Sequence, residues 1–570
     1  MKYSKRFIHH ALILIVYAVF FSTCTSMAPS AFPPAIDYTD GRSVIREIAA
    51  VRSLVPEKPL EALLRAKRLA VYTEHTDQID SLYEEAAVAA AAAFTQAVTD
   101  GKWQDALRFF HSMTAVGNPP AQWSEKELTI AQQKAWKEQG FSALLQSDAA
   151  QQGADSPGTA PSIETVRHMM KGVVTVWVDR GITIEKGLGR ADRMIGSGFF
   201  IDGNGYLVTN YHVIQSDVDP EYEGFSRVYI KLPGDTAIRI PAKVIGWDAI
   251  FDLALLKTEI TPEVYFQLGS SEDLNIGSRI YAIGSPAGLE QTLTSGIVSA
   301  QNRRFLSLGS VLQIDAPVNH GSSGGPIIDE AGRVQAIVFA GLERQEGLNF
   351  AIPVELLKLI LPQLYAGGAV SHGWLSAYGV TAKETPQEKG GAKIVYAIPG
   401  SSTADVPAGT LITHINGQPI ASLEALQTAL MHFGIGTIIK LSGIPPEKIE
   451  MPAPDASASR DWYVQLDARP EQPAELIYRK DSRVRAMLPF YGITLENAGG
   501  KNAFRIADVI PGSYADEAGF STGDYLEIRR MEVHKTEGVV YTQIYTKRRK
   551  SAYLDAFMDI WAYADSPSYL

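Results

Sequence analysis

Residues 313–329 read QIDAPVNHGSSGGPIID, a glycine-rich turn between two apolar runs. Ser323 lies at its centre, with Gly321 before it and Gly324 and Gly325 after it. Glycine allows positive φ angles and the close approach of other backbone, so this pattern is typical of a turn that presents a hydroxyl and neighbouring N–H groups. Ordinary Gly/Ser turns have the same composition. The segment therefore indicates a catalytic serine only if a base and a carboxylate occur in suitable segments elsewhere.

Two such segments precede the turn in the chain. His212 follows an apolar strand in TNYHVI, and Asp252 opens another in FDLALLK, where a buried carboxylate is costly unless it is paired. A serine nucleophile needs a base, a carboxylate that fixes the base's tautomer, and N–H groups that face the oxyanion. The order His, Asp, Ser is that of chymotrypsin-like enzymes and differs from subtilisin and the α/β-hydrolases. We therefore predict a catalytic triad of His212, Asp252 and Ser323.

The surrounding region has the texture of an all-β domain. Short runs such as VVTVWV (173–178) and RVYIKL (227–232) alternate with Gly, Asp, Asn and Pro turns as far as about residue 365. Many short strands at close spacing predict a barrel or a sandwich.

This region resembles the HtrA (Deg-type) family of PDZ-bearing serine proteases. The matching pieces cover nearly all of 165–365 in the family's order: GSGFFIDGNGYLVTNYHVI (196–214), DLALLK (252–257), IGSPAGL (283–289), TSGIVSA (294–300), QIDAPVNHGSSGGPIID (313–329) and LNFAIP (348–353). The resemblance implies a trypsin-like serine protease domain over 163–365, an all-β chymotrypsin-like double β-barrel, followed by two C-terminal PDZ-like α+β domains.

The resemblance also implies the roles of the site residues. Ser323 would be the nucleophile, His212 its general base and Asp252 the carboxylate that orients His212. The N–H groups of Gly321 and Ser323 would form the oxyanion hole, with Ser322 on the same loop. The family usually has Asn where Ser322 stands, a mild change because this position contributes backbone.

Asp248 and His320 are the alternative members of the triad. Asp248 lies four residues before Asp252, but DLALLK matches the family at Asp252. His320 is close to the nucleophile only along the chain, and the turn is expected to point it away.

The primary specificity pocket is expected to be apolar. In chymotrypsin-like folds the residue six positions before the nucleophile lies at the floor of this pocket, and here Pro317 and Val318 occupy that place without charge. The strand AIVFAGL (336–342), with Phe339 and Leu342, is expected to line the pocket. We predict cleavage after a small or medium aliphatic residue and not after Lys or Arg.

The N-terminus has the pattern of an export signal. Basic residues precede a short apolar run, and FSTC ends at Cys24, the one cysteine of the chain. The run is too short to span a bilayer comfortably, which takes about 20 residues. FSTC resembles a bacterial lipobox, although Phe21 stands where Leu is usual. We predict a signal peptide over 1–23, lipidation of Cys24 and a Ser/Ala/Pro-rich tether over 24–40; simple secretion and an uncleaved anchor are the alternatives. The mature protein would be a membrane-anchored lipoprotein facing the periplasm or the cell exterior.

A helical region precedes the protease-like region. Leucines and isoleucines recur at helical spacing over 41–147, and GKWQDALRFF (101–110) resembles the start of a tetratricopeptide unit, without a clean 34-residue period. We predict an all-α helical-hairpin (TPR-like) domain there, then a linker over 148–162. The HtrA family commonly forms trimers through segments before the protease domain, so a homo-oligomer is a further expectation.

An internal repeat marks two C-terminal modules. IPGS occurs at 398–401 and at 510–513, each time after a short strand and before small residues and glycine. We predict a first PDZ-like domain over 370–489, with an insertion at 443–472 and a closing hairpin at 475–489. A second would cover 490–570.

The peptide groove of the first module is expected beside the segment HGWLSAYGV. In PDZ domains this loop offers N–H groups to a peptide's terminal carboxylate while the peptide adds a strand to the sheet edge. The resemblance implies that Gly373, Trp374, Leu375 and Ser376 form the loop and that the helix over 422–434 forms the other wall.

Composition limits the partners. The net charge of −11 argues against a nucleic-acid-binding protein, and the basic run KRRK (547–550) is interpreted as a solvated face. We expect no cofactor and no metal. The sequence predicts an exported serine endopeptidase that cleaves unfolded or damaged proteins and captures peptides with its PDZ domains. The alternative is a protease-fold scaffold or chaperone with vestigial hydrolysis.

Overall fold

The structure is a computed structural model of the 570-residue chain. It describes residues 36–138 and 163–570, apart from positions 37, 75, 186, 221, 286–290, 305–308, 342–347, 383–389, 450–458, 501 and 551. The predicted signal peptide, Cys24, most of the tether and the linker over 148–162 lie outside the described residues. The chain divides into two compact units, one of Met1–Val44, Ile398–Asp405 and Ala474–Ala564, and the other of Ile45–Ala397, Val406–Pro473 and Asp565–Leu570.

The N-terminal region is helical, as predicted. It contains α1 (Gly41–Leu54), α2 (Pro59–Tyr72), α3 (Asp77–Thr99), α4 (Trp103–Ala115) and α5 (Glu125–Glu138). In α3 the buried positions recur three or four residues apart, because only one stripe of an amphipathic helix faces its neighbours. Thr76 caps α3 by accepting the N–H of Ile79, and Pro59 opens α2, where its missing N–H costs nothing.

The protease region begins with α6 (Ile163–Met170) and an eight-stranded sheet. The strands are β1 (Val173–Glu185), β2 (Leu188–Phe200), β3 (Tyr206–Thr209), β4 (Arg227–Leu232), β5 (Asp235–Pro241), β6 (Lys243–Asp248), β7 (Leu253–Lys257) and β14 (Gly368–Ala369). Their order is β14-β6-β7-β3-β2-β1-β4-β5. The short helix α7 (Tyr211–Val218) follows β3 directly.

A closed six-stranded barrel follows the sheet. It contains β8 (Arg279–Gly284), β9 (Thr292–Arg303), β10 (Val311–Ile314), β11 (Pro326–Ile328), β12 (Val334–Gly341) and β13 (Asn349–Pro353), in the order β10-β13-β12-β11-β8-β9. The helix α8 (Val354–Ala366) comes next. Phe199 from the sheet, Phe251 from the turn between β6 and β7, Ile283 and Ile337 from the barrel and Leu361 from α8 share one buried apolar core. The candidate active-site residues lie on connections within the two sheets: in α7, between β6 and β7, and between β10 and β11.

The first C-terminal module is built on a sheet in the order β16-β17-β18-β20-β21, with β19 paired to β18. Its elements are β15 (Gly373–Trp374), β16 (Ala377–Ala382), β17 (Gly391–Ala397), β18 (Thr410–Ile415), β19 (Gln418–Pro419), α9 (Leu423–Met431), β20 (Ile438–Ile444), α10 (Pro446–Ile449), β21 (Arg460–Gln465) and β22 (Asp467–Ala468). The 3-10 helix Ser402–Asp405 follows IPGS.

The predicted insertion at 443–472 is wrong for its second half. Residues 460–465 form β21, which pairs with β20 from Ile438 opposite Gln465 to Gly443 opposite Arg460. The Pro/Ala/Asp-rich composition of the residues before β21 led to the prediction of an insertion, although a strand of the sheet follows them.

The closing hairpin predicted at 475–489 is also wrong. The segment forms α11 (Pro473–Lys480) and α12 (Arg483–Tyr491), with Ser482 capping α12 by accepting the N–H of Arg485. Ala474, Ile477, Ala486 and Met487 are buried at helical spacing, so the apolar period favours helices over strands.

The second C-terminal module lies in the unit that contains Ala474–Ala564. Its sheet runs in chain order through β23 (Ile493–Gly500), β24 (Ala503–Val509), β25 (Tyr525–His534), β26 (Val539–Lys550) and β27 (Ala552–Tyr563), with α13 (Tyr514–Glu517) after the second IPGS. The segment Ala474–Ala564 of this unit differs at both ends from the predicted range 490–570. It begins 16 residues earlier, and residues 565–570 belong to the other unit. Within the described parts of the chain, no helix has both the length and the apolar character needed to cross a membrane.

Candidate active site

His212 and Asp252 are joined twice. Asp252 Oδ2 lies 2.6 Å from His212 Nδ1, and Asp252 Oδ1 accepts the backbone N–H of His212 at 2.7 Å. His212 is the second residue of α7 and Asp252 precedes β7, with a φ of 54°. Asn210 stabilises this uncommon backbone by donating from Nδ2 to the Asp252 carbonyl at 2.8 Å. The carboxylate is therefore fixed at the Nδ1 edge of the imidazole, where it holds the tautomer of the ring.

The pKa of the His212 imidazole is raised above its ordinary value. Burial lowers this pKa, but the charge of Asp252 and the hydrogen bond to it raise it by more. A base whose conjugate acid is stabilised in this way is suited to accept a proton from a hydroxyl.

The loop that carries Ser323 is held against β2. Ser197 N–H donates to the Ser323 carbonyl at 2.7 Å, and Ser197 Oγ donates to the Gly321 carbonyl at 2.6 Å. Gly324 has a φ of +85°, and a Cβ atom there would lie 2.3 Å from the Ser197 carbonyl oxygen. Glycine is required at 324 for both its positive φ and this close approach.

The loops of His212 and Ser323 meet at β2. A Cβ atom on Gly196 would lie 2.6 Å from Cγ2 of Val213 and 3.2 Å from the Ser323 carbonyl oxygen, so both loops pack on this one glycine. Ser323 Oγ donates to the Phe339 carbonyl at 3.4 Å, and within the described residues no hydrogen bond joins it to His212. Attack on a substrate therefore requires the hydroxyl to rotate toward the imidazole, and such contacts often tighten only when substrate binds.

The N–H groups of the loop separate into two sets. Ser322 N–H donates to the Asn319 carbonyl at 2.9 Å, which removes Ser322 from the predicted oxyanion-hole donors. The N–H groups of Gly321 and Ser323 have no acceptor among the described residues, so both can receive an oxyanion. His320 is exposed on the loop.

Asp248 has another partner. It is fully buried, its Oδ1 accepts the N–H groups of Ile250 and Phe251, and its Oδ2 lies 2.7 Å from Nε2 of His372. These contacts use the carboxylate away from His212. Asp252 is thus the carboxylate that the structure pairs with the candidate base.

The expected specificity pocket is only partly described. Val318 is half-buried and lines a cavity of about 20 Å³ with Ser322 and Val338, whereas Pro317, which also lines it, is exposed. The place of Pro317 at the floor of the specificity pocket stays a prediction. Phe339 packs against the apolar core and presents its carbonyl to Ser323, and Leu342 lies outside the described residues.

Comparison with known proteins identifies the family. The segment 196–337 matches the trypsin-like peptidase domain. A probable periplasmic serine endoprotease, DegP-like, from Bartonella henselae is 30% identical over 398 residues, which cover 66% of this chain and 75% of the relative. The chain belongs to the HtrA (DegP-like) family of serine endoproteases. The predicted family, fold class and serine endopeptidase activity are confirmed.

Further matches extend over other parts of this HtrA-family chain. Residues 474–564 match the TP0546 family PDZ domain, and residues 42–135 match a domain of unknown function (DUF8517). A DegP-like relative from Pseudomonas fluorescens is 36% identical over 247 residues, covering 40% of this chain and 49% of its own. The solved structure of the HtrA-type protease AlgW with a decapeptide is 23% identical, with a TM-score of 0.44, and covers 54% of this chain and 98% of its own.

The predicted PDZ loop of the HtrA-family chain is largely buried. Gly373 and Trp374 form β15, which pairs with β22, while Leu375 and Ser376 are 1% and 3% exposed. Ser376 has a φ of 56°, and its Oγ donates to Asp467 Oδ2 at 2.6 Å. The loop is therefore fixed in place before β16.

Two residues beside the predicted PDZ groove were not predicted from the sequence. Gln427 on α9 and Arg304 after β9 both donate to the Pro567 carbonyl. No motif marked either of them, although Gln427 is a polar residue on the helix that was predicted as the groove wall.

Proposed function

We propose that Ser323, His212 and Asp252 hydrolyse peptide bonds by way of an acyl-enzyme. Ser323 Oγ bonds to the scissile carbonyl carbon while its proton passes to Nε2 of His212. The developing oxyanion is held by the N–H groups of Gly321 and Ser323. The pair of hydrogen bonds that Asp252 accepts from the backbone N–H and Nδ1 of His212 is the observation that carries this proposal.

The second half of the cycle reverses these proton transfers. The His212 imidazolium gives its proton to the leaving amine as the C–N bond breaks. Water then attacks the acyl carbon and loses a proton to His212, and Ser323 Oγ takes that proton back as the carboxylic acid leaves. Asp252 stays ionised throughout and stabilises the imidazolium.

The proposed substrates are unfolded or damaged exported proteins. Relatives named as periplasmic endoproteases support export to the periplasm, and the sequence pattern at Cys24 supports a lipid anchor there. Peptide capture by a PDZ domain is supported by the match of residues 474–564 to a PDZ domain family. Assembly as a trimer and preference for an aliphatic residue before the scissile bond remain predictions.

Casein digestion and labelling by a fluorophosphonate test the proposal. The wild-type protein and the matched control Ser310→Ala should cut casein, and mass mapping should place the label on Ser323. Ser323→Ala should lose both the cleavage and the label. If wild type and Ser323→Ala behave alike, the chain is a scaffold or chaperone and not a protease.

A further inference from the structure

Residues 568–570 of the chain pair with the edge strand of the sheet in the first PDZ domain. β16 is the edge strand next to β17. Leu570 N–H donates to the Ala377 carbonyl at 2.9 Å, and Ala377 N–H donates to Leu570 O at 3.4 Å. Gly379 N–H donates to the Ser568 carbonyl at 2.9 Å, and Tyr569 pairs antiparallel with Tyr378. Residues 568–570 thus extend the sheet by one short strand, which is how peptides add to PDZ domains.

The side chains of this strand are buried in the module. Leu570 is 2% exposed and lies in the apolar cluster that contains Leu375, Leu423 and Leu426. The glycine at 379 leaves room for it, because a Cβ atom there would lie 2.8 Å from Cδ1 of Leu570. Removing this apolar side chain from water favours the docked position of the segment.

The tyrosine before it is buried too. Tyr569 is 1% exposed, and its ring packs edge-on against Tyr378 at 5.5 Å between centroids. Because the side chains of both Tyr569 and Leu570 are buried, this short strand is packed into the module and does not merely touch its surface.

The helix wall also binds the segment. Gln427 Nε2 donates to the carbonyls of Pro567 and Tyr569 at 2.8 and 2.9 Å. Gln427 is 4% exposed, so an amide at this position needs partners for its hydrogen bonds. The segment supplies those partners.

Charged groups hold the start of the segment. Arg469 Nη2 lies 2.7 Å from Asp565 Oδ1, and the Arg469 side chain is 1% exposed. Arg304 donates to the Pro567 carbonyl and pairs with Glu424 at 2.7 Å. Contacts to backbone and side chains therefore run along 565–570.

We propose that residues 565–570 are an intramolecular ligand of the first PDZ domain and that an external peptide must displace them to bind. This inference rests on the proposed peptide capture by that groove. A tethered ligand competes at an effective concentration that reaches the millimolar range, and the affinity for external peptide falls in proportion to the open fraction. We therefore expect external peptide to bind on the order of tenfold or more weakly than to an emptied groove.

The test uses the full chain with Ser323→Ala and a fluorescein-labelled peptide DSPSYL, which copies residues 565–570. Fluorescence anisotropy should show at least tenfold tighter binding to a variant lacking 566–570 and to Leu570→Lys than to the parent chain. Leu188→Lys, at a leucine that is 66% exposed, is the matched control and should bind as the parent does. Leu570→Lys keeps the test decisive if the shortened chain fails to fold.

Adding Gln427→Ala to Leu570→Lys should weaken peptide binding again, which locates the probe in the groove. The proposal is overturned if parent and both groove variants bind the peptide equally, if neither variant binds it, or if Gln427→Ala has no effect. None of these results depends on proteolysis, so they are separate from the casein and labelling outcomes.

Discussion

His372 Nε2 lies 2.7 Å from Asp248 Oδ2, and both side chains are buried. Asp248 ends β6 and His372 stands just before β15, so this pair joins the eight-stranded sheet to the start of the first PDZ module. Phe251 packs edge-on against the His372 ring at 4.7 Å between centroids. The contact explains a buried carboxylate close to the triad that takes no part in it.

Removing Asp248 should destabilise the protein. Asp248→Ala leaves His372 and the N–H groups of Ile250 and Phe251 buried without their acceptor, and we expect a loss of about 3 kcal/mol. Urea unfolding measures the loss. Asp273→Ala, an exposed aspartate in the same domain, should change stability by less than about 0.5 kcal/mol; equal effects of the two would contradict the structural role.

Asp252→Asn should reduce the rate without removing the fold. An amide cannot hold the His212 tautomer that accepts a proton from Ser323, and the same change in the best-studied serine protease lowers kcat by about 10⁴-fold. The kcat for a peptide substrate checks this. A loss of under tenfold, with Asp248→Asn showing the larger loss, would assign the orienting role to Asp248.

The activity should fall in acid at the raised pKa of His212. The reaction needs the neutral imidazole, so kcat/KM declines as the pH drops through that pKa, which lies above the ordinary value of 6.5. In Asp252→Asn the charge that raises the pKa is gone and burial, which lowers it, remains. The acid limb should therefore move to lower pH, and a limb at the same pH in both proteins would show that Asp252 does not act on His212.

Gly324→Ala should destabilise far more than a typical glycine substitution. The new Cβ atom would meet the Ser197 carbonyl oxygen at 2.3 Å and Thr209 Oγ1 at 2.5 Å, so the loop has to shift. Gly234→Ala is the matched control, because Gly234 also has positive φ but has open space around it. Unfolding should show about 1 kcal/mol for the control and at least 3 kcal/mol for Gly324→Ala, and equal losses would contradict the packing of this loop.

Arg68 should anchor the helical region to the first PDZ sheet. β21 is an edge strand, and α2 covers it through Arg68, whose Nε and Nη2 donate to the Tyr463 carbonyl at 2.9 and 2.7 Å. Arg68→Ala leaves this carbonyl buried and unpaired, at about 1–3 kcal/mol. Arg46→Ala, on the exposed face of α1, is the control. Urea unfolding should respond to the first and not to the second, and equal effects of the two would contradict the anchoring role.

The parts of the fold that depend on local sequence pattern could be predicted. Short-range steric and burial rules explain the glycines around Ser323, the apolar strands beside His212 and Asp252, and the helical period over α1–α5. The motifs around the three triad residues, through their resemblance to the HtrA family, predicted the family and its catalytic class. The error at 475–489 was also local, because Ala486, Met487 and Phe490 have helical spacing within α12 and could have been recognised.

The contacts between distant segments could not be predicted from local pattern and are seen only in the folded chain. The strand β21, the bond between Asp248 and His372 across 124 residues, and the seating of 568–570 on β16 all depend on distant segments. A segment pairs with an edge strand through main-chain N–H and C=O groups, which every residue other than proline carries. The pattern of side chains therefore does not indicate which segment will pair with a given edge.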